Sequence, residues 1–182
     1  MSSYDHSRSG GGRKAGHLIL LAAVTAAALA ACTVQPLYAP TAAGVSVVAS
    51  LGDVYIEPVD DRIGQELRNQ LIFQLNGGKG QPDNPRYRMR LVVSSSENAL
   101  GVTPIETAPS YSITVAATYE VRSAADDKIV LRSTSRQSAS YDRVNQVYAN
   151  TRAKLDAENR AAALVADDIR IHLAAAAAKG TI

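Results

Sequence analysis

The chain has 182 residues, with 19 Lys and Arg against 17 Asp and Glu, three His and a single Cys, for a formal charge of +2. That length suits one domain with a real core. One cysteine excludes an internal disulfide, and so even a charge balance argues against a general polyanion binder.

The chain opens with a basic segment carrying Arg8, Arg13 and Lys14, followed by an apolar run of 14 residues from Leu18 to Ala31. As a helix this run measures about 21 Å at about 1.5 Å per residue, short of a hydrocarbon core of roughly 30 Å. A basic start, a short Leu/Ala-rich middle and small residues before a break describe a secretory signal peptide. Leu29-Ala30-Ala31-Cys32 resembles a bacterial lipobox. The resemblance implies cleavage before Cys32, a diacylglycerol on its sulfur and a fatty acyl group on the new N-terminus. A stray cysteine in a signal that is not lipidated is the alternative. Loss of residues 1–31 removes three basic side chains, Asp5, His6 and His17, leaving 16 basic and 16 acidic residues and His172 alone.

Residues 32–44, with Pro36 and Pro40, read as a lipidated extended tether, and 45–48 as a short extended piece opening a domain that runs to 178. Val54-Tyr55-Ile56 reads as a strand between Gly52 and Pro58. Asp60 or Asp61 offers an N-cap for a helix to about Asn76, closed by Gly77-Gly78. Its residues Ile63, Leu67, Leu71 and Leu75 step by four and form one drifting stripe. Phe73 falls off that stripe, either as a partner contact or as an ordinary exposed aromatic. Residues 79–85 form a loop. In 86–93, Tyr87, Met89, Leu91 and Val93 alternate with Arg86, Arg88 and Arg90, the signature of a strand. Residues 94–109, rich in Ser, Gly and Pro, read as a long irregular loop of the kind that is usually functional or mobile.

Tyr111, Ile113, Val115, Ala117, Tyr119 and Val121 then alternate with mostly polar residues in the clearest strand of the chain. A turn over 124–127 leads into a strand over 128–136, with Ile129 and Leu131 inward and Lys128, Arg132 and Arg136 outward. Two alternating runs joined by a tight turn predict an antiparallel hairpin. From about Asn150 to Ala177 the pattern is helical, with Leu155, Ala162, Val165, Ile169 and Leu173 on one face. Leu164 and Ile171 add a second apolar line, so cover on more than one side of this helix is expected. Lys154–Glu158 and Asp156–Arg160 are opposite charges four apart, and Lys179-Gly180 ends the helix before a short tail, 179–182. The order β-α-β-β-β-α predicts an α+β two-layer sandwich: a four-stranded, mostly antiparallel sheet with two amphipathic helices on one face.

The catalytic inventory is thin. A Ser-His-Asp triad would have to use His172, inside the last helix. Asp60-Asp61, Asp126-Asp127 and Asp167-Asp168 read as turn or helix-surface acids, and Gly77-Gly78-Lys79-Gly80 lacks the spacing of a phosphate loop. No enzyme activity, metal or cofactor is expected. The sheet face away from the helices collects Arg86, Arg88, Arg90, Arg122, Lys128, Arg132 and Arg136, with Glu120 the main acid. Arginine forks suit phosphate and carboxylate, but charge on a sheet also serves solubility and discourages edge pairing. Export from the cytoplasm argues against nucleic acid as a ligand.

Three stretches together carry a family resemblance. Cys32-Thr33-Val34-Gln35-Pro36-Leu37-Tyr38 resembles the start of mature lipopolysaccharide-assembly lipoproteins of the LptE type. Val59-Asp60-Asp61-Arg62-Ile63-Gly64-Gln65-Glu66-Leu67-Arg68-Asn69-Gln70-Leu71 resembles the alphaproteobacterial form of their first helix. Tyr141-Asp142-Arg143-Val144-Asn145-Gln146-Val147-Tyr148-Ala149, with Asp156-Ala157-Glu158 beyond, is similar to the approach to their last helix. Thr33-Val34 departs from the Gly-Phe common there. The resemblance implies a lipoprotein on the periplasmic side of the outer membrane of a Gram-negative envelope. It would plug, and help assemble, a large LptD-like β-barrel that delivers lipopolysaccharide to the outer leaflet. It also implies contact with lipopolysaccharide through basic residues near the inter-strand loop and last helix. Arg152 and Lys154 are the nearest candidates there, and Arg88 and Arg132 on the sheet face. A different outer-membrane lipoprotein adaptor, such as a secretin pilot or barrel-assembly accessory, is the alternative, and a periplasmic hydrolase the third reading.

Overall fold

The computed structural model describes residues 47–100 and 110–182. The signal segment, Cys32 and the rest of the 32–44 tether, residues 45 and 46 of the expected extended piece, and the 101–109 part of the expected loop lie outside the described residues. In chain order the elements are α1 (Val47–Gly52), β1 (Val54–Ile56), α2 (Arg62–Asn76), β2 (Tyr87–Leu100), β3 (Ser110–Ser123), β4 (Ile129–Asp142) and α3 (Val147–Ala178). The sheet order is β1-β2-β3-β4, with β1 parallel to β2 and the other pairs antiparallel. Helices α2 and α3 pack together over one face, α2 against β1 and β2, and α3 against β3 and β4. This is the expected α+β two-layer arrangement.

Helix α2 begins where the sequence places it. Asp61 has an extended backbone, and its Oδ1 accepts from the Gly64 N–H at 2.7 Å, satisfying one donor that a helix start leaves open. Gly77 ends the helix at φ 59° and donates to the Phe73 carbonyl at 2.8 Å, the left-handed conformation that glycine adopts without a Cβ penalty. Leu67, Leu71 and Leu75 are buried and Ile63 is partly so, while Phe73 is 65% exposed. The stripe faces Met89, Leu91, Ile113, Val115, Tyr119 and Val121 of the sheet and Val165, Ile169 and Leu173 of α3, all in one core. The inner side of α3 is largely alanine: Ala157, Ala161, Ala162, Ala166, Ala174, Ala176 and Ala177 are buried. Such small side chains let the helix backbone lie close against its neighbours.

Several expectations need correction. Residues 47 and 48 begin the short helix α1 rather than an extended piece. Residues 94–100, expected as loop, continue β2, because Ser94 through Leu100 pair residue by residue with Ala116 through Ser110 of β3; backbone pairing, not apolar alternation, makes that half a strand. Ile129 is 46% exposed rather than inward. The register slips between Val121 and Arg122, so Ile129 sits opposite Arg122 while Leu131 sits opposite Val121. The extra residue turns Ile129 to the solvent side. Strand β4 also runs on to Asp142 instead of ending at Arg136, and α3 starts at Val147. Finally, Leu164 and Ile171 of α3 stay half exposed, so among the described residues one side of that helix is covered. At the C-terminus, where a tail is expected, Ile182 is buried and the Thr181 N–H donates to the Ala176 carbonyl at 2.9 Å.

Candidate functional site

The helix-free side of the sheet is organised in rows by the strand register. Arg88 lies opposite Arg122, and Arg90, Glu120 and Arg132 form the next row across β2, β3 and β4. Glu120 accepts from Arg132 and, at 3.2 Å, from Arg122, which also reaches Asp127 at 3.2 Å. The Arg132 hydrogen bond, more than any other contact, holds the Glu120 carboxyl below the usual carboxylate range. Arg86 pairs with Asp53 at 3.5 Å, and Lys128 with Asp126 at 2.8 Å. Among the described residues Arg88, Arg90 and Arg136 carry no ion pair, so they, and not Arg132, are this face's uncommitted cations. Farther along, Ser94, Ser96, Thr114 and Ser138 border a hollow of about 410 Å³ with Arg136 in its wall. The rows here are hydroxyl pairs, Thr114–Ser138 at 2.8 Å and Thr118–Thr134 at 3.0 Å. Cations and hydroxyls together suit a phosphorylated sugar.

A second polar cluster joins the far end of the sheet to the start of α3. Glu97, on the helix side of β2, accepts from Lys154 Nζ at 2.6 Å and from the Tyr141 hydroxyl. The Lys154 bond, followed by that of Tyr141, holds the Glu97 carboxyl below its ordinary value, while burial, followed by Glu97, pushes the Tyr141 phenol up. Tyr141 stacks on Tyr111 at 5.7 Å between ring centroids, and Arg143 lies 4.4 Å over the Tyr111 ring with Nη1 3.1 Å from its hydroxyl. Lys154 is therefore committed to Glu97, whereas Arg152 is exposed on the same end of the helix. The expected Lys154–Glu158 pair does not form; Glu158 instead accepts from Arg62 of α2. Asp156–Arg160 does form, at 2.8 Å. The Glu97 contact has no signal in the sequence, because the 94–100 half of β2 has no apolar alternation.

His172 is placed where a triad can be tested. Ser135 Oγ donates to Asp168 Oδ2 at 2.6 Å rather than to the imidazole. His172 Nδ1 is 3.1 Å from the Tyr119 hydroxyl, and Nε2 is 3.8 Å from Asp168. Ser135 is 1% exposed. A nucleophile needs its oxygen on the base and open to substrate, so this network ties β3 and β4 to α3 and does not activate a serine. Among the described residues no group of three or more His, Cys, Asp or Glu could hold a metal ion, and no helix is long and apolar enough to cross a membrane.

The 59–71 block earns its residues structurally. Asp61 caps α2, Arg62 Nη1 donates to Asn159 Oδ1 at 3.0 Å and Nη2 to Glu158, and Arg68 Nε reaches the carbonyls of Ile56 and Glu57 at 3.2 and 3.1 Å. The block thus fastens α2 to α3 on one side and to the end of β1 on the other.

A family model for lipopolysaccharide assembly, LptE, matches residues 51–173. No curated protein matches the chain. The crystal structure of a Caulobacter crescentus lipoprotein is similar, at 28% identity and a TM-score of 0.61, over 74% of this chain and 96% of that one. A minor lipoprotein from Acinetobacter baumannii shares the fold at 16% identity and a TM-score of 0.52, over 67% of this chain and 88% of that one. With the match spanning β1 to most of α3, and with the helix entry, sheet and helix pairing described above, the chain belongs to the LptE family of lipopolysaccharide-assembly lipoproteins.

Proposed function

We propose that the mature protein begins at an acylated Cys32, stands on the periplasmic side of the outer membrane, and works without catalysis. In this reading it seats as a plug in a large LptD-like β-barrel, helps that barrel assemble, and passes lipopolysaccharide toward the outer leaflet. Membership of the family over residues 51–173 carries the proposal. The anchor chemistry supports it: each buried methylene contributes about 0.8 kcal/mol, and stable attachment needs more than one chain, which a diacylglycerol plus an N-acyl group supplies. Lipopolysaccharide phosphates would meet Arg88 directly, while Arg132 and Lys154 would have to leave Glu120 and Glu97 to bind them; Arg152 is open. Phe73, exposed on α2, is the candidate contact to the barrel wall.

Affinity capture of the protein from detergent-solubilised outer membranes tests the partnership, with one large β-barrel protein expected in near-equal amount. Recovery of a secretin ring in its place would overturn it. For lipopolysaccharide, Arg88→Glu with Arg132→Glu should weaken binding in a salt-sensitive manner; unchanged binding would return these arginines to a solubility role.

A further inference from the structure

Strand β4 is the last strand of the sheet, and among the described residues no strand pairs with its outer side. It runs for 14 residues, and over 134–142 it has no proline, lysine or bulge, the devices that usually blunt an exposed edge. Beside this edge lies a groove of about 490 Å³, walled by Ser138 and Ser140 of β4 and by Arg160, Ala163, Leu164 and Asp167 of α3. Arg160 Nη2 donates to the Ser140 carbonyl at 2.7 Å. That carbonyl therefore points away from β3, and at a period of two so do the N–H and carbonyl of Ser138. Leu164 remains 46% exposed in the groove wall, where the small Ser138, Ser140 and Ala163 leave room over it. Helix α3 runs antiparallel to β4, since Arg160 meets Ser140 and Asp168 meets Ser135. From the Ser140 end the helix thus presents a cation, Arg160, an apolar side chain, Leu164, and a carboxylate, Asp167, over about 10 Å. Alternate residues of a strand lie about 6.8 Å apart, so three of them cover that length.

We propose that this groove receives an extended segment of a partner protein, added to β4 as a fifth, antiparallel strand. Its backbone exchanges hydrogen bonds with Ser138 and Ser140, and Arg160 leaves the Ser140 carbonyl to make room. Three alternate side chains of the segment face α3, in the order that the helix dictates. A carboxylate comes first, opposite Tyr141, and takes the Arg160 guanidinium. An apolar side chain follows, opposite Ala139, and covers Leu164. A cation comes last, opposite Gln137, and reaches Asp167. A second copy of β4 does not match this pattern. Its helix-facing residues over the same stretch are Ser135, Gln137, Ala139 and Tyr141, none of them charged. The docking depends on neither the lipid anchor nor the barrel partnership, because the groove is complete within the domain.

Fluorescence polarisation of a dye-labelled seven-residue peptide with the mature chain in detergent tests the docking. The peptide has glutamate, valine and lysine at its second, fourth and sixth positions and threonine elsewhere, and saturable binding is expected. Methylating the backbone nitrogens of the two threonines beside the valine, which face Ser140 and Ser138, should weaken binding about tenfold or more. Ser140→Pro should do the same, because it removes one outward N–H that an edge strand can lose without harm to its ladder. Leu164→Ser, or exchange of the glutamate and lysine in the peptide, should each weaken binding about fivefold. The peptide changes are read on the parent protein, so they decide the matter even where a variant folds poorly. Absence of saturable binding would overturn the proposal. So would a methylated or charge-exchanged peptide that binds as well as the original. A dimer that forms as protein concentration rises and slows hydrogen exchange at Ser138 and Ser140 would overturn it in favour of a second copy.

Discussion

Gly64→Ala separates helix propensity from the geometry of the α2 start. At an ordinary helix position the change stabilises by roughly 0.8–1.0 kcal/mol. Here a Cβ on Gly64 would lie 2.3 Å from Val59 Cγ1 and 2.6 Å from Asp61 Oδ2. The carboxylate is the N-cap itself, with Oδ1 bonded to the Gly64 N–H. Displacing it forfeits about 1 kcal/mol of capping, and crowding Val59 adds an overpacking cost of about 1–3 kcal/mol. Against the propensity gain, the net expectation is a loss of roughly 1–3 kcal/mol. For a chain of this length that lowers Tm by roughly 2–4 °C per kcal/mol. Urea unfolding measures it directly, with the midpoint moving at constant slope. Asp61→Ala should cost about 1 kcal/mol on its own, and the double variant less than the sum of the two, because both act on one cap. A more stable Gly64→Ala protein would refute the reasoning, since propensity would then have won.

Glu97→Gln tests the far-end cluster through pH. The folded pKa of Glu97 lies below its ordinary 4.5, first through Lys154 and then through Tyr141, so its contribution is present above about 4.5 and is lost as pH falls through the lower folded value. The variant should flatten the acid limb of the stability profile, and an unaltered limb would count against the contact. Arg62→Ala leaves Glu158, 9% exposed, without its cation, and should cost roughly 1–3 kcal/mol; a loss no larger than that of Lys128→Ala, whose pair with Asp126 is exposed, would contradict it. Cys32→Ala should leave the precursor unprocessed or mislocalised, which gel mobility and membrane fractionation report; normal processing and fractionation would refute acylation.

Periodicity made α2 and β3 legible, because Leu67, Leu71 and Leu75 and the residues from Ile113 to Val121 bury side chains at the period of their own element. Where burial does not hold the backbone, the sequence is silent. The outer half of β2 is Ser, Glu, Asn, Ala and Leu, and its strand state comes from the partner that β3 supplies at all seven positions from Ser94 to Leu100. The charge partners were hidden for a related reason. Neighbours four apart on a helix are visible in sequence, but Lys154 and Glu158 both turn to acceptors and donors nearly a hundred or nearly sixty residues away, Glu97 at a separation of 57 and Arg62 at 96. On the sheet face, alternation places the arginines on one side, but only the cross-strand register tells which of them Glu120 neutralises.

The alanines along the inside of α3 set a limit on how this molecule can change. Where the contact is a single methyl group there is no long side chain to swing aside, so enlarging Ala161, Ala162 or Ala166 must push α3 away from what it packs against. Substitution is thereby tolerated best at the outward positions of α3, such as Leu164 and Ile171, which meet no such close approach.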